Sequence, residues 1–113
     1  MTMREPTFLI LSALAGKPLH GYGLIEEVHV LSSGRLKLSI GTLYGALDRL
    51  TDEGLVRVNR EEVVSGRLRR YYEITDQGAT ALATELSRMR QAVELAESRL
   101  RARKTGDAAW SPA

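Results

Sequence analysis

Five arginines, Arg57, Arg60, Arg67, Arg69 and Arg70, fall within one short stretch of the chain and are opposed there by Glu61 and Glu62. A guanidinium presents a planar fork of donors that matches a phosphate, so a local cluster of this kind is the electrostatic minimum for binding a polyanion. The same charges also suit a solvated strand pair. Gly66 permits a tight turn between the two halves of the stretch, and strand alternation puts Arg67 and Arg69 on one side with Arg70 on the other. A second group lies upstream, in SIGTLYGALDRLTDEGLV from Ser39 to Val56. It reads as an amphipathic helix, yet Gly41, Thr42, Tyr44 and Gly45, all poor helix formers, crowd its first two turns. Ser39, Thr42 and the free amides at such a helix start can bind phosphate oxygens. Tyr44 can rest its ring on the domain and offer its hydroxyl, while Gly41 and Gly45 let the helix axis come close to a partner. Arg49 on the flank can reach a base edge or the backbone, and Lys37 precedes the helix. Asp48 and Asp52 point the same way as the glycines and repel phosphate.

Other chemistry is thinly represented. The 113 residues contain no cysteine, which removes disulfides, thiolate metal sites and cysteine nucleophiles, and the only histidines are His20 and His29. Two histidines without further ligands at recognised spacing make no zinc site. No paired nucleophile and base and no phosphate loop occurs at usable spacing, so an enzyme is not expected, nor a cofactor. The composition, 43% hydrophobic and 27% charged with a formal charge of +2, is that of a globular domain rather than a disordered chain. The N-terminal apolar run from Phe8 to Leu14 imitates a secretory signal, but Glu5 and Pro6 interrupt the positive region that should precede it. No stretch approaches the roughly 20 apolar residues of a membrane span, and the chain is expected to be cytoplasmic.

These groups must be positioned by a small set of elements. A first helix is predicted from about Pro6 to Ala15, because proline is favoured in a first turn; GKPLHG then breaks the chain. A second, about Gly21 to Leu31, carries Leu24, Ile25, Val28 and Leu31 on one face and ends at Ser32, Ser33 and Gly34. Ser39 is the expected cap of the third, whose Leu43, Ala46, Leu47 and Leu50 face inward and which Gly54 closes. The period then changes to that of strands: Leu55 to Val64, a turn at Ser65-Gly66, and Leu68 to Ile74 with Leu68, Tyr72 and Ile74 on one side. Thr75 caps a last helix to about Lys104, and the tail 105–113, with Gly106, Trp110 and Pro112, is expected to be disordered unless a partner or ligand captures the tryptophan.

The last helix holds a regular apolar seam. Ala79, Leu82, Leu86, Met89, Val93, Ala96 and Leu100 alternate separations of 3 and 4, the a/d pattern of a heptad repeat. So long a helix exceeds what a domain of this size can cover, and Leu82, Leu86, Met89, Val93, Ala96 and Leu100 are therefore expected to form a homodimer interface.

Three helices, a hairpin and a long helix, a mainly α chain with a small β-hairpin (α+β), is the order of a winged helix-turn-helix followed by a dimerisation helix. In that arrangement the third helix enters the major groove of DNA and the hairpin tip reaches the flanking backbone or minor groove. The expected organisation is residues 1–75 as the DNA-binding domain, 76–104 as the dimerisation helix and 105–113 as the tail. At LHGYGLIEEV (19–28), GTLYGALDRLTDEGLV (41–56) and GRLRRYYEITDQG (66–78) the sequence resembles the PadR family of bacterial transcriptional regulators, in its shorter form with one C-terminal helix. The resemblance covers Phe8 to about Leu100. It implies a homodimeric repressor that binds a pseudo-palindromic operator and is released by a small aromatic or drug-like effector. It carries the DNA contacts to Ser39, Thr42 and Tyr44 and to the wing at Gly66, Arg67 and Arg69; with Lys37, Gly45 and Arg49 read from the residues, these make the expected DNA-binding set. Gly45 stands where the family commonly has proline, and Trp110 lies beyond the dimerisation helix on which some multidrug-binding members carry a tryptophan. The alternative function is a winged helix that docks a protein partner through the third helix and the seam without selecting a DNA sequence, a reading that Asp48 and Asp52 favour.

Overall fold

The computed structural model describes residues 3–106; Trp110 lies outside the described residues. The chain divides into two compact units, Met1–Leu82 and Ala83–Ala113. The first contains α1 (Glu5–Gly16), β1 (Leu19–His20), α2 (Gly21–Leu31), α3 (Ile40–Asp52), β2 (Val56–Val64), β3 (Arg67–Ile74) and the start of α4 (Asp76–Lys104), whose remainder lies in the second.

Each helix begins and ends where its residues demand. Pro6 lies in the first turn of α1, where its missing amide costs nothing. His20 caps α2 by accepting the Gly23 amide on Nδ1 at 3.3 Å, and Ser33 and Gly34, both at positive φ, stop that helix. Ser39 caps α3 as expected, accepting the Thr42 amide at 3.2 Å and donating to the Thr42 hydroxyl at 2.9 Å. Thr75 Oγ1 accepts the Gly78 amide at 3.0 Å at the start of α4 and donates to the Gly54 carbonyl at 2.6 Å, which ties the end of α3 to the start of α4.

The core is assembled from the inward stripes of these helices. Ile10, Leu11, Leu24, Val28, Leu43, Leu47, Leu50 and Val56 are fully buried, and Tyr72 joins them from the sheet. Burying each large aliphatic side chain contributes about 1.5–3 kcal/mol, so the helical stripe of α3 is held firmly inward and its opposite face is left to solvent. Leu82 also lies in this core. Its expected place in the dimer seam is thereby corrected, because its side chain is taken up within its own chain.

The sheet departs from the simple hairpin expected. It has three antiparallel strands in the order β1-β3-β2, with Leu19 and His20 paired to Tyr72 and Tyr71. Two residues beside a proline and a glycine give no strand period, which is why the sequence shows only a break there. The β2-β3 ladder also carries a bulge between Val58 and Arg60. The extra residue, Asn59, reverses the side to which the following residues point. Val58 pairs with Tyr72 and Val56 with Ile74 on the core side, and beyond the bulge that face continues as Glu61 with Arg70 and Val63 with Leu68. Leu68 therefore shares the face of Tyr72, as expected, but lies beyond the core and is 62% exposed. The turn itself has Ser65 at φ 52° and Gly66 at φ 77°, two consecutive left-handed residues as a tight hairpin of primed type requires.

Candidate nucleic-acid interface

The expected contact residues divide into two clusters and one exception. On α3, Gly41, Thr42, Tyr44, Gly45, Asp48 and Asp52 are exposed while Leu43, Ala46, Leu47 and Leu50 are buried. An added Cβ at Gly41 or Gly45 meets nothing within 4 Å, so no contact inside the chain requires glycine at either position. Tyr44 lies against the start of α2: a Cβ at Gly21 would fall 2.7 Å from its hydroxyl. The missing side chain of Gly21 is what lets the Tyr44 ring lean across. Lys37 is exposed just before the helix, and the amides of Ile40 and Gly41 have no acceptor within the helix.

Arg49 is the exception. Its guanidinium donates to the Thr7 hydroxyl at 3.2 Å and lies 3.7 Å from the Glu53 carboxylate. It thus joins α3 to α1, while its side chain stays about half exposed beside the outward stripe. On the helical wheel it stands on the flank, where a long side chain can turn either way; the partner on α1 that captures it is set by tertiary packing.

The hairpin arginines separate by their partners. Arg57 donates to Glu73 at 2.6 Å, with Asn59 donating to the other carboxylate oxygen at 3.0 Å. Hydrogen bonding from Arg57 holds the Glu73 carboxyl below its ordinary pKa. Arg60 lies 3.8 Å over the Tyr71 ring and 3.9 Å from Glu62, and Tyr71 donates its hydroxyl to Glu62 at 2.8 Å. Those two positive charges are offset inside the hairpin. Among the described residues, by contrast, no carboxylate lies within 4 Å of Arg67, Arg69 or Arg70. The Tyr72 hydroxyl, more than the Glu61 carboxylate, favours the charged form of Arg70.

These three arginines converge on one crevice. Because β1 pairs only with Tyr71 and Tyr72, the outer edge of β3 from Arg67 to Arg70 has no neighbouring strand. That edge, the start of α2 and Tyr44 enclose a crevice of about 260 Å³ lined by Tyr22, Tyr44, Arg67, Leu68, Arg69 and Arg70. Arg70, expected to point away from Arg67 and Arg69, reaches the same space from the other face of the strand. Tyr22, 70% exposed, is a lining residue that sequence reasoning missed; the helical pattern of α2 shows it as a solvent position and says nothing of the wing beside it. His20 also lines the crevice. Burial first, and then the charge of Arg69, lowers its pKa, consistent with a neutral imidazole whose Nδ1 accepts from Gly23. The arrangement can take up a phosphate-bearing strand: guanidinium groups without a carboxylate within 4 Å among the described residues, tyrosine hydroxyls and an exposed helix start lie on adjoining elements. Among the described residues no group of acidic, histidine or cysteine side chains could hold a metal, and no helix is long and apolar enough to cross a membrane.

Comparison with known proteins agrees with this architecture. Residues 10–84 match the Transcriptional regulator PadR-like family. The transcriptional regulator YqjI of Escherichia coli (strain K12) is 34% identical over 104 residues, covering 92% of this chain and 46% of that protein; the chain thus spans about half the length of that relative. The crystal structure of a PadR family transcription regulator from Clostridium difficile superposes with a TM-score of 0.71 at 26% identity, over 86% of this chain and 99% of that one. Bacillus subtilis PadR, solved in complex with operator DNA, superposes with a TM-score of 0.65 at 25% identity over 74% of this chain and 48% of that one.

Proposed function

This chain belongs to the PadR-like family of transcriptional regulators, and from that premise we propose that it is a homodimeric repressor which binds a pseudo-palindromic operator through the start of α3 and the wing. One observation carries the reading: Arg67, Arg69 and Arg70, the wing arginines without carboxylate partners among the described residues, line one crevice beside the exposed glycine face of α3. The solved complex of Bacillus subtilis PadR with operator DNA supports it. Lys37, Ser39, Thr42, Tyr44, Gly45, Gly66, Arg67 and Arg69 are the DNA-contacting residues, with Arg70 added from the crevice. Residues 1–75 bind DNA and 76–104 join the two copies. The reading includes release by a small aromatic or drug-like effector, for which family membership is the support. Selection from a random-site DNA pool tests the function, a recurring two-fold sequence being the expected result. Specific capture of a protein with no DNA selection would establish instead the docking module that the exposed Asp48 and Asp52 favour.

Gly45 gives a test in which stability and binding move in opposite directions. Glycine inside an exposed helix costs up to about 1 kcal/mol relative to alanine, and a Cβ there meets open space. Gly45→Ala is therefore expected to raise the unfolding free energy by roughly 0.5–1 kcal/mol while weakening binding to the selected duplex. Equal or tighter binding by the stabilised variant would refute close approach of α3 to DNA.

Dimerisation rests on the remaining seam. Leu86, Val93 and Leu100 are 40%, 55% and 64% exposed, with Met89 and Ala96 exposed between them. Replacing both Leu86 and Val93 by lysine places like charges on the seam. The Leu86→Lys, Val93→Lys variant is expected to sediment as a monomer, and a variant that stays dimeric would move the interface elsewhere.

A further inference from the structure

The core-side face of the wing carries a second apolar pair beyond the charged pair at which the core ends. Beyond the buried Val56 and Tyr72, and beyond the Glu61–Arg70 pair, Val63 and Leu68 stand directly opposite one another, 72% and 62% exposed. The Asn59 bulge puts them there: without the extra residue Val63 would lie on the other face, with Arg69 and Tyr71. A cross-strand aliphatic pair strengthens a hairpin modestly, and threonines, which are good strand formers, would do so without exposing hydrocarbon.

The surroundings decide what can cover this pair. Leu68 lines the same crevice as Arg67, Arg69 and Arg70; Glu61 acts on Arg70 through space from the same face, but no carboxylate lies within 4 Å of the three arginines among the described residues. A second copy of the tip would bring six like charges together, and an apolar protein surface would leave the guanidinium groups desolvated and unpaired. The occupant must present anionic groups on either side of a nonpolar surface. The wall of a DNA groove does so, with phosphates flanking the carbon faces of deoxyribose. A helix 10–12 Å across fills a major groove about 12 Å wide, which leaves the adjoining backbone and minor-groove wall to the wing.

We infer that the Val63–Leu68 pair is a nonpolar DNA contact that packs on deoxyribose at the groove edge while Arg67, Arg69 and Arg70 hold the flanking phosphates. The inference rests on the DNA-binding reading above. It gives the wing two separable parts: the arginines set the salt dependence, and the aliphatic pair adds affinity independent of salt with a negative heat-capacity change from apolar burial.

The test uses the full chain and the duplex that the wild type recovers from a random-site pool. Val63→Thr, Leu68→Thr keeps strand propensity; its unfolding midpoint is expected to stay near that of the wild type. Its affinity is expected to fall about five- to thirtyfold, the consequence of losing partial burial of two aliphatic side chains, with an unchanged salt slope and a less negative heat capacity of binding by calorimetry. Val63→Ile, Leu68→Met keeps the hydrocarbon and is expected to bind as the wild type does. Unchanged affinity in the threonine variant overturns the contact while leaving DNA binding intact. Wild-type self-association that the threonine variant abolishes assigns the pair to a second copy and likewise overturns it. A wild type that binds no duplex overturns both this contact and the function on which it rests.

Discussion

Replacing Arg67, Arg69 and Arg70 together by alanine is expected to flatten the salt dependence of DNA binding and to weaken it on the order of ten-thousandfold near physiological salt. Each phosphate contact that releases a counterion contributes about 0.9 to the slope of log affinity against log salt. Three lost contacts in each protomer remove about 5.4 from the slope of the homodimer, which near 0.15 M corresponds to the stated loss. The control lies in the same hairpin. Arg57→Ala, Arg60→Ala removes nearly as much formal charge, but Arg57 is paired with Glu73, and Arg60 lies between Tyr71 and Glu62. Arginines already neutralised release few counterions, so this variant is expected to keep most of the slope. Titrations of one duplex at several salt concentrations separate the two. If both variants flatten the line equally, charge in general and not the crevice governs binding, and the assignment of the interface to the β3 edge fails.

The largest effect on stability is expected from a residue that touches no DNA. Gly78 sits in the first turn of α4, where a Cβ would fall 2.1 Å from the Leu55 carbonyl oxygen and 2.9 Å from the Ile74 side chain. Leu55 cannot yield easily, because its carbonyl accepts the Thr75 amide at 3.1 Å and its own amide donates to Leu50 at 2.9 Å. Its neighbour Gly54 is held in turn by the Thr75 hydroxyl. Overpacking in a well-ordered interior typically costs about 1–3 kcal/mol, and a clash with backbone belongs at the upper end. Gly78→Ala is therefore expected to lower the unfolding free energy by roughly 3 kcal/mol and the melting temperature by more than about 10 °C. Denaturant or thermal unfolding measures it directly, and an unchanged midpoint would mean that α4 does not start against the α3–β2 corner as described. Gly78→Ala and Gly45→Ala thus make the same chemical change to two helical glycines with opposite expected outcomes; what lies within 4 Å of the new methyl group decides the sign.

Much of the fold was legible because local rules and long-range packing agree. Ser39, Thr75, Gly54 and the Ser32-Ser33-Gly34 run act where capping and turn chemistry place them, and the inward stripe of α3 is the one its spacing implies. The candidate interface was legible in part. Residue types and strand alternation picked out Arg67 and Arg69, but a run of arginines does not reveal which of them have partners. Glu73 lies opposite Arg57 only through the ladder register, and Thr7 reaches Arg49 across 42 positions of sequence. Tyr22 and Arg70 enter the crevice because α2 and β3 meet in space, a relation with no sequence period.

By itself the sequence determined the four helices and the main hairpin, the caps of α3 and α4, the inward stripe of α3 and the family signature, since each depends on residues within a turn or two of one another; Leu31, expected on the inward face of α2, is exposed. Tertiary structure alone decided the rest. The pairing of Leu19 and His20 with β3, the bulge at Asn59 that turns Val63 toward Leu68, the burial of Leu82 and the separation of arginines with a close carboxylate from those without one all arise where distant segments meet. A contact between segments far apart in sequence is set by the whole packing free energy, and no local pattern of residues encodes it.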